Sequence, residues 1–138
     1  MDPCDGQTPK PFRDASDDFV QYACARALND IEETLDAVTL MTSEYERRKN
    51  WFVPALNQIE GFSCEMPEGA FYAFVDVRSM LDGRFSSSAE IADLLLKEAH
   101  IVVTDGEGFG GDGFLRFSYA TSMENLERAV DAMKGLFG

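Results

Sequence analysis

The sequence predicts an α+β fold, with a small, mainly antiparallel sheet of about 3–4 strands covered by helices. Three observations support it. Apolar residues recur with helical periodicity near both ends of the chain, they alternate with polar residues in the middle, and short turn-rich segments separate the parts. The expected order is helix, helix, strand, strand, helix, strand, strand, helix. The two helices before the first strand form a long N-terminal helical segment.

The N-terminal helical segment is predicted from apolar spacings of one or two helical turns. A first helix over residues 18–29 ends where Asn29-Asp30 breaks the pattern, and a second covers about residues 34–59. Pro54 lacks a backbone N–H, so it should kink this helix or begin a new turn. Gly61 then fits an exit turn.

Two strands are predicted next. Residues 62–66 alternate apolar and polar side chains, which is typical of a half-buried strand. A turn at residues 67–69 separates them from a more apolar strand at residues 70–77. Strands so close in sequence are expected to pair as a hairpin.

Two further helices are predicted from capping boxes. Ser87 with Glu90 begins one of them, and Thr121 with Glu124 begins the closing helix. Their predicted inner faces consist of Ile91, Leu94, Leu95 and Ala99 in the first, and of Met123, Leu126, Ala129, Val130, Met133 and Leu136 in the second.

Two strands are expected between these helices. Residues 101–104 are rich in β-branched side chains, and "GFLRFSYA" at residues 113–120 reads as a buried strand. The intervening "DGEGFGGDG" is glycine-rich, yet it lacks the G-x-x-x-x-G-K-[ST] pattern and a strand, not a helix, follows it. Its carboxylates would also repel phosphate, so we interpret it as a tightly turned loop.

Composition excludes several classes of function. The 138 residues carry a formal net charge of −13, which argues against binding to nucleic acids or anionic membranes. Three cysteines without a C-x-x-C pair, and His100 as the single histidine, make a zinc or haem site unexpected. The chain shows no secretory leader and no membrane-spanning run, and we expect a cytoplasmic protein.

Arg116 is the residue most indicative of function. Strand alternation places it on the same face as Phe114 and Ser118, within an apolar run. Removing a guanidinium from water is costly unless an anion meets it, and its planar fork suits a carboxylate. From spacing alone, two interpretations are equal: an anion-binding site, or an internal salt bridge to one of Asp76, Asp105 and Asp112.

Three segments together resemble a known family. "PEGAFYAFVDV", "SSAEIADLLLKEAHIVVTDGEGFG" and "GFLRFSYATSMENLERAVDAM" are similar to the C-terminal small domain of class I aminotransferases. These are pyridoxal-phosphate (PLP) enzymes of fold type I, and the likeness is to the aspartate-aminotransferase-like branch. The resemblance covers residues 18–138, whereas residues 1–17 are unmatched and are expected to form a flexible tail.

The resemblance implies a role for Arg116. In this family the arginine of the R-x-S-Y-A strand binds the substrate α-carboxylate, and Arg116 occupies that position. Residues 34–59 would connect the large domain to the small one, and residues 18–29 would end the large-domain portion. The sequence departs from the family at Asp105, where proline is common.

The resemblance also implies a cofactor site that this sequence does not match. Family members bind PLP through a Schiff-base lysine in an S-x-x-K-like segment. None of the four lysines has that context: Lys10, Lys49, Lys97 and Lys134. We therefore expect no catalytic residue, no metal and no bound cofactor in this chain, and no activity of the chain alone.

For the complete enzyme, the resemblance implies PLP, an amino-acid or 2-oxo-acid substrate, a large domain that is missing here, and a homodimer. The alternative, from another class of function, is a stand-alone module that binds carboxylates or another protein through its surface.

Overall fold

The computed structural model describes residues 18–138. The expected flexible tail at residues 1–17 lies outside the described residues, so that boundary stays a prediction. The described residues divide into two compact units, residues 18–40 and residues 41–138. The helices and strands of the described part follow the predicted order, and the predicted α+β class is confirmed.

The described part of the first unit is helical. Helix α1 covers Asp18–Asn29, and helix α2 covers Ile31–Leu56, whose first residues belong to this unit. At the break between them, the Thr34 hydroxyl donates to the Ala27 carbonyl at 2.7 Å. The break at Asp30 agrees with the prediction, although α2 begins and ends about three residues earlier than expected.

The second unit contains a four-stranded antiparallel sheet. Its strands are β1 at Ser63–Cys64, β2 at Tyr72–Asp76, β3 at Thr104–Asp105 and β4 at Phe114–Ser118, in the spatial order β1-β2-β4-β3. The hairpin pairing of β1 with β2 is confirmed. Strand β4 lies inside the sheet, with β2 on one side and β3 on the other.

Strands β1 and β3 are shorter than the sequence predicts, and a hydrogen bond explains the difference at β3. The Asn57 side chain accepts from the Cys64 N–H at 2.7 Å and donates to the Cys64 carbonyl at 2.9 Å, so it occupies backbone groups of β1. The Ile101 N–H donates to the Leu95 carbonyl at 3.1 Å. Residue 101 therefore completes a helix end and does not start the strand predicted at residues 101–104.

One face of the sheet is covered by helices α3 (Ser88–Ala99) and α4 (Met123–Phe137) and by the end of α2. Each fully buried aliphatic or aromatic side chain contributes about 1.5–3 kcal/mol. The predicted inner faces of α3 and α4 are buried or half-buried. The principal core residues are Phe52, Val53, Leu56, Ala73, Val75, Ile91, Leu95, Leu115, Phe117, Leu126, Val130, Met133 and Phe137.

Of the capping box predicted for α3, the bond to the Ser87 hydroxyl is present, but the bond from Glu90 back to Ser87 is replaced. Ser87 is the N-cap, and its hydroxyl accepts from the Glu90 N–H at 3.3 Å. The Glu90 carboxylate, however, accepts from the N–H and the hydroxyl of Ser86, each at 2.8 Å. These bonds lower the pKa of Glu90.

The cap predicted for α4 is wrong by one residue. The N-cap is Ser122, whose hydroxyl accepts from the Asn125 N–H at 3.2 Å. Thr121 accepts from the Asn125 side-chain amide at 3.0 Å instead. The capping-box pattern selected Thr121 because Glu124 lies three residues later, whereas Ser122 has Asn125 at that position.

Two predicted helix-ending features lie near the end of α2. Pro54 falls in its last turn, two residues before the helix ends. Gly61 forms the exit turn with φ of +85°, and a Cβ there would lie 2.4 Å from the Met80 Cγ.

No helix within residues 18–138 has the length and apolar character needed to cross a membrane.

Candidate functional site

Arg116 lies on the face of the sheet opposite to α3 and α4. Along β4, Leu115 and Phe117 are buried toward the helices, whereas Arg116 is half-buried on the other face with Phe114. The alternation predicted from sequence is therefore confirmed. The sheet register places Phe74 of β2 and Thr104 of β3 beside Arg116.

The internal salt bridge, considered as an alternative from the sequence, is absent from residues 18–138. Asp76 is paired with Arg78, and Asp105 accepts from the Ser88 hydroxyl at 2.6 Å. Within the same residues, Arg116 forms no ion pair with any carboxylate. Its charge is therefore not compensated by the described part of the chain.

Two aromatic rings and one hydroxyl contact the Arg116 guanidinium. Its central carbon lies 4.5 Å from the centroid of Tyr72 and 4.1 Å from that of Phe109. One terminal nitrogen lies 3.5 Å from the Thr104 hydroxyl. Ring contacts attract the cation without using its N–H groups, and a guanidinium has five of them. Most donors of Arg116 thus remain for an external anion.

The neighbouring cation on this face is compensated. Arg78 forms an ion pair with Asp76, which lowers the pKa of Asp76, and its guanidinium lies 5.0 Å from the Phe114 ring centroid. Phe114 stacks on Phe74 with ring centroids 4.8 Å apart. A cavity of about 470 Å³ is lined by these four residues together with Tyr72, Ser63, Glu65, Met66 and Pro67. Tyr72 therefore lines this cavity and also contacts Arg116.

The glycine-rich loop positions Phe109 against Arg116. The Gly106 N–H donates to the Phe114 carbonyl at 2.9 Å, and the Gly106 carbonyl accepts from Phe109 and Gly111. A short 3-10 helix, Glu107–Phe109, lies between these anchors. The prediction of a tightly turned loop is confirmed. The aromatic and hydroxyl contacts were missed. Tyr72 comes close to Arg116 through the pairing of β2 with β4, which the sequence analysis did not predict.

A larger cavity, of about 610 Å³, opens on the helix side of the molecule and does not include Arg116. Its polar lining includes His100, Asn125, Arg128 and Asp131, all of them exposed. Residues 18–138 contain no cluster of three or more His, Cys, Asp or Glu side chains that could hold a metal ion. The candidate functional site is therefore the uncompensated cation and not the largest of these concavities.

Three lysines fall within the described residues, and their surroundings do not fit a PLP site. Lys97 is paired with Asp93 at 3.2 Å, and Lys134 donates to Gln58 at 3.1 Å, both on helix exteriors. Lys49 lines a cavity of about 300 Å³ that also contains Glu46 and Glu68, which would repel a phosphate. None of these three lysines therefore has surroundings that suit the phosphate of PLP.

Comparison with known proteins identifies the family. The family model for class I and II aminotransferases matches residues 12–133. This chain is a member of the class I and II aminotransferase family. The uncompensated arginine described above therefore belongs to an aminotransferase fold, and PLP is the cofactor of complete enzymes in this family.

Individual relatives agree with the family assignment. The aminotransferase chain is 44% identical over 118 residues to aromatic-amino-acid aminotransferase 2 of Thermococcus litoralis, covering 84% of this chain and 29% of the relative. It is 41% identical to an aspartate aminotransferase of Pyrococcus abyssi, with the same coverage of 84% and 29%. The chain thus spans less than a third of the length of these curated relatives.

Solved structures give the same result. The crystal structure of the aromatic aminotransferase from Pyrococcus horikoshii matches with a TM-score of 0.77 at 40% identity, over 86% of this chain and 31% of that one. A mutant aspartate aminotransferase of Thermus thermophilus matches with a TM-score of 0.75 at 31% sequence identity. The match covers 85% of this chain and 31% of that one. The predicted small-domain fold of the aminotransferase is confirmed.

Proposed function

We propose that this chain forms the part of a PLP-dependent aminotransferase that binds the substrate carboxylate. The complete enzyme would transfer an amino group between an amino acid and a 2-oxo acid, and Arg116 would bind the α-carboxylate that both share. One observation carries the proposal: Arg116 has no carboxylate partner within residues 18–138 and retains free N–H donors.

The surroundings of Arg116 suit this role. A guanidinium can hold a carboxylate with two parallel hydrogen bonds, which sets the orientation of the substrate as well as its affinity. Tyr72 and Phe109 restrict the side chain through their rings, so less freedom is lost when the substrate binds. Holding the carboxylate fixes the position of the neighbouring Cα–H, which is a contribution of proximity.

The cofactor would be held by residues outside the described part of the chain. PLP, when bound, acts as the electron sink for amino-group chemistry. Because residues 18–138 do not fit it, we assign them no part in the proton transfers of the reaction. We propose that they act by binding and orienting the substrate, and that this stretch alone is inactive.

The proposal does not depend on the substrate side chain. Relatives named for aromatic amino acids and for aspartate are both similar to this chain, at 44% and 41% identity. Their substrates share the α-carboxylate and differ beyond Cβ. Arg116 would therefore serve either class.

A larger assembly is also part of the proposal. Large apolar side chains of the first unit are exposed, among them Phe19 at 72%, Tyr22 at 78%, Leu28 at 77% and Leu40 at 75%. Exposed apolar groups on this scale are typical of interaction surfaces. We propose that a large domain and a second subunit complete a cytoplasmic homodimer.

A chimera tests the proposed function. The 138-residue chain would replace the matching segment of the Thermococcus litoralis relative, and transamination would be followed with amino-acid and 2-oxo-acid substrates. Removing one partner of a charged pair costs about 2–5 kcal/mol, so Arg116→Gln should lower kcat/KM about 30- to 5,000-fold. Arg116→Lys should be intermediate because it keeps the charge but loses the fork.

The matched control is Arg128→Gln on α4, which lines the cavity on the helix side and should leave kcat/KM unchanged. An unchanged kcat/KM in Arg116→Gln would disprove the proposed role. For the unfused 138-residue chain we expect neither transamination nor the absorbance of bound PLP.

The unfused chain also tests the alternative function. Amide shifts around Arg116 would be followed by NMR during titration with aspartate, phenylalanine and succinate. Saturable binding at millimolar concentration or below, lost in Arg116→Gln, would favour a stand-alone carboxylate-binding module. Absence of binding agrees with a site that needs a second domain.

A further inference from the structure

Strand β3 connects the two sides of the sheet at Arg116. It has only two residues, and strand geometry directs their side chains to opposite faces. Thr104 is the cross-strand partner of Arg116, and its hydroxyl lies 3.5 Å from the guanidinium. Asp105 is the partner of Leu115, which is buried on the helix side. A change in the position of Asp105 therefore moves Thr104 as well.

The Asp105 carboxylate is bound by a buried hydroxyl. Ser88, in the first turn of α3, is 2% exposed and donates from its hydroxyl to Asp105 at 2.6 Å. This length is typical of a charge-assisted O–H···O⁻ bond, which is about twice as strong as a neutral one. The carboxylate also lies by the N-terminus of α3, where the helix dipole favours negative charge.

The loop that carries Phe109 begins at the residue after Asp105. Gly106 donates to the Phe114 carbonyl, and its own carbonyl accepts from Phe109 and Gly111. Phe109 ends this turn, with its ring centroid 4.1 Å from the Arg116 guanidinium. Asp105 is thus the last residue before the loop with a side-chain anchor in the helix layer.

We propose that Asp105, held by Ser88, is a positioning residue for Arg116. The bond between Asp105 and Ser88 holds β3 and the start of the loop, and thereby keeps Thr104 and Phe109 against the guanidinium. The inference rests on the proposed function in that a positioned Arg116 matters for substrate binding. The positioning itself can be measured without any substrate.

The experiment uses the full 138-residue chain and the NMR signal of the Arg116 Nε–Hε group. Aromatic rings at 4.1 and 4.5 Å shift this proton upfield, and Phe109→Leu defines the change when one ring is lost. In Ser88→Ala and in Asp105→Ala, the Hε signal should move in the same direction as in Phe109→Leu. Ser88→Thr keeps a hydroxyl and should restore the wild-type position.

The matched control is Ser79→Ala, which removes a hydroxyl that donates to the Gly61 carbonyl at 3.1 Å, away from this loop. It should leave Arg116 Hε unchanged. If Ser88→Ala fails to fold, Asp105→Ala removes the same hydrogen bond without leaving a half-buried carboxylate that lacks its donor. An unmoved Hε signal in a folded Asp105→Ala chain overturns the inference, even if its melting temperature falls.

Activity of the chimera separates this inference from the proposed function. We expect Asp105→Ala to lower kcat/KM about 10- to 100-fold through KM, since a small misplacement of a binding group has effects of that size. If Arg116→Gln has no effect on activity, the proposed function fails, whereas the Hε result still decides whether Asp105 positions Arg116.

Discussion

The Arg116 guanidinium carbon lies 4.1 Å from the ring centroid of Phe109, although the two residues come from a strand and from the loop before it. Phe109 is 55% exposed, so burial of its ring does not explain its position. The backbone hydrogen bonds of the loop place it there, and attraction between the cation and the ring face adds about 0.5–1 kcal/mol at exposed sites. The loop is therefore held partly by the residue that we propose binds substrate.

The first prediction concerns these ring contacts. Phe109→Leu should lower the free energy of unfolding by about 0.5–1 kcal/mol, because a leucine side chain has no quadrupole for the cation. Tyr72→Phe keeps a ring and should have little effect on the Arg116 contact. Urea unfolding followed by circular dichroism measures both. Equal stability of Phe109→Leu and the wild type in low salt would contradict the prediction.

The second prediction compares two glycines of the same loop. A Cβ on Gly106 would lie 2.3 Å from the Gly111 carbonyl oxygen and 2.8 Å from that of Phe114, both backbone atoms that cannot rotate away. Gly106→Ala should therefore destabilise the protein by about 1–3 kcal/mol, as overpacking does. Gly108 has no atom within 4 Å of a Cβ, so Gly108→Ala is the control.

Thermal unfolding of the two glycine variants provides the measurement. Gly108→Ala should melt close to the wild type and Gly106→Ala clearly below it. A melting temperature for Gly106→Ala equal to that of Gly108→Ala would show that the loop rearranges freely.

The third prediction concerns the turn before β2. Ala70 has φ of +61°, and its carbonyl accepts from the Tyr119 hydroxyl at 3.1 Å. Tyr119 is 1% exposed, and burial raises its pKa. Tyr119→Phe should cost about 0.5–1.5 kcal/mol because it removes this hydrogen bond. Ala70→Gly should be neutral or slightly stabilising, since glycine adopts positive φ without strain.

The control for Ala70→Gly is Ala92→Gly inside α3, which should cost about 1 kcal/mol through lost helix propensity. Chemical denaturation gives the free energy of unfolding of each of the three variants, so that their stabilities can be compared. The interpretation of Ala70 would be wrong if Ala70→Gly were as destabilising as Ala92→Gly.

The fourth prediction concerns acid titration. Hydrogen bonds from Arg47, at 2.8 and 2.9 Å, and from Arg48, at 2.9 Å, lower the pKa of Glu44 from 4.5 to about 2. A carboxylate with a lowered pKa in the folded state contributes stability above its unfolded pKa. That contribution should be lost as pH falls from about 4.5 toward 2.

Carbon-13 NMR of the Glu44 carboxyl group measures this pKa directly. Arg47→Ala should return it toward 4.5 by more than Arg48→Ala does, because the Arg47 hydrogen bonds have the larger effect. Lys97→Ala, which removes the partner of Asp93, is the control and should leave the Glu44 pKa unchanged. A Glu44 pKa near 4.5 in the wild-type chain would contradict the prediction.

Local patterns predicted most helices and strands correctly, since periodicity reports which side of an element faces the core. In α4, Leu126, Val130 and Met133 recur at about one helical turn and all three are buried. Patterns were least accurate at the two short strands, β1 and β3. Before β3, the Leu95 carbonyl accepts from the Ile101 N–H, and this bond is not visible in the spacing of residues.

Sequence by itself determined the α+β class, the order of the elements and the face of β4 on which Arg116 lies, because these depend on the alternation and periodicity of neighbouring residues. Only the tertiary structure decided what Arg116 touches. Asp76 and Asp105 are engaged by Arg78 and Ser88, and two aromatic rings meet the cation instead. Those partners come from separate strands, a helix and a loop, and only strand register and loop closure bring them together.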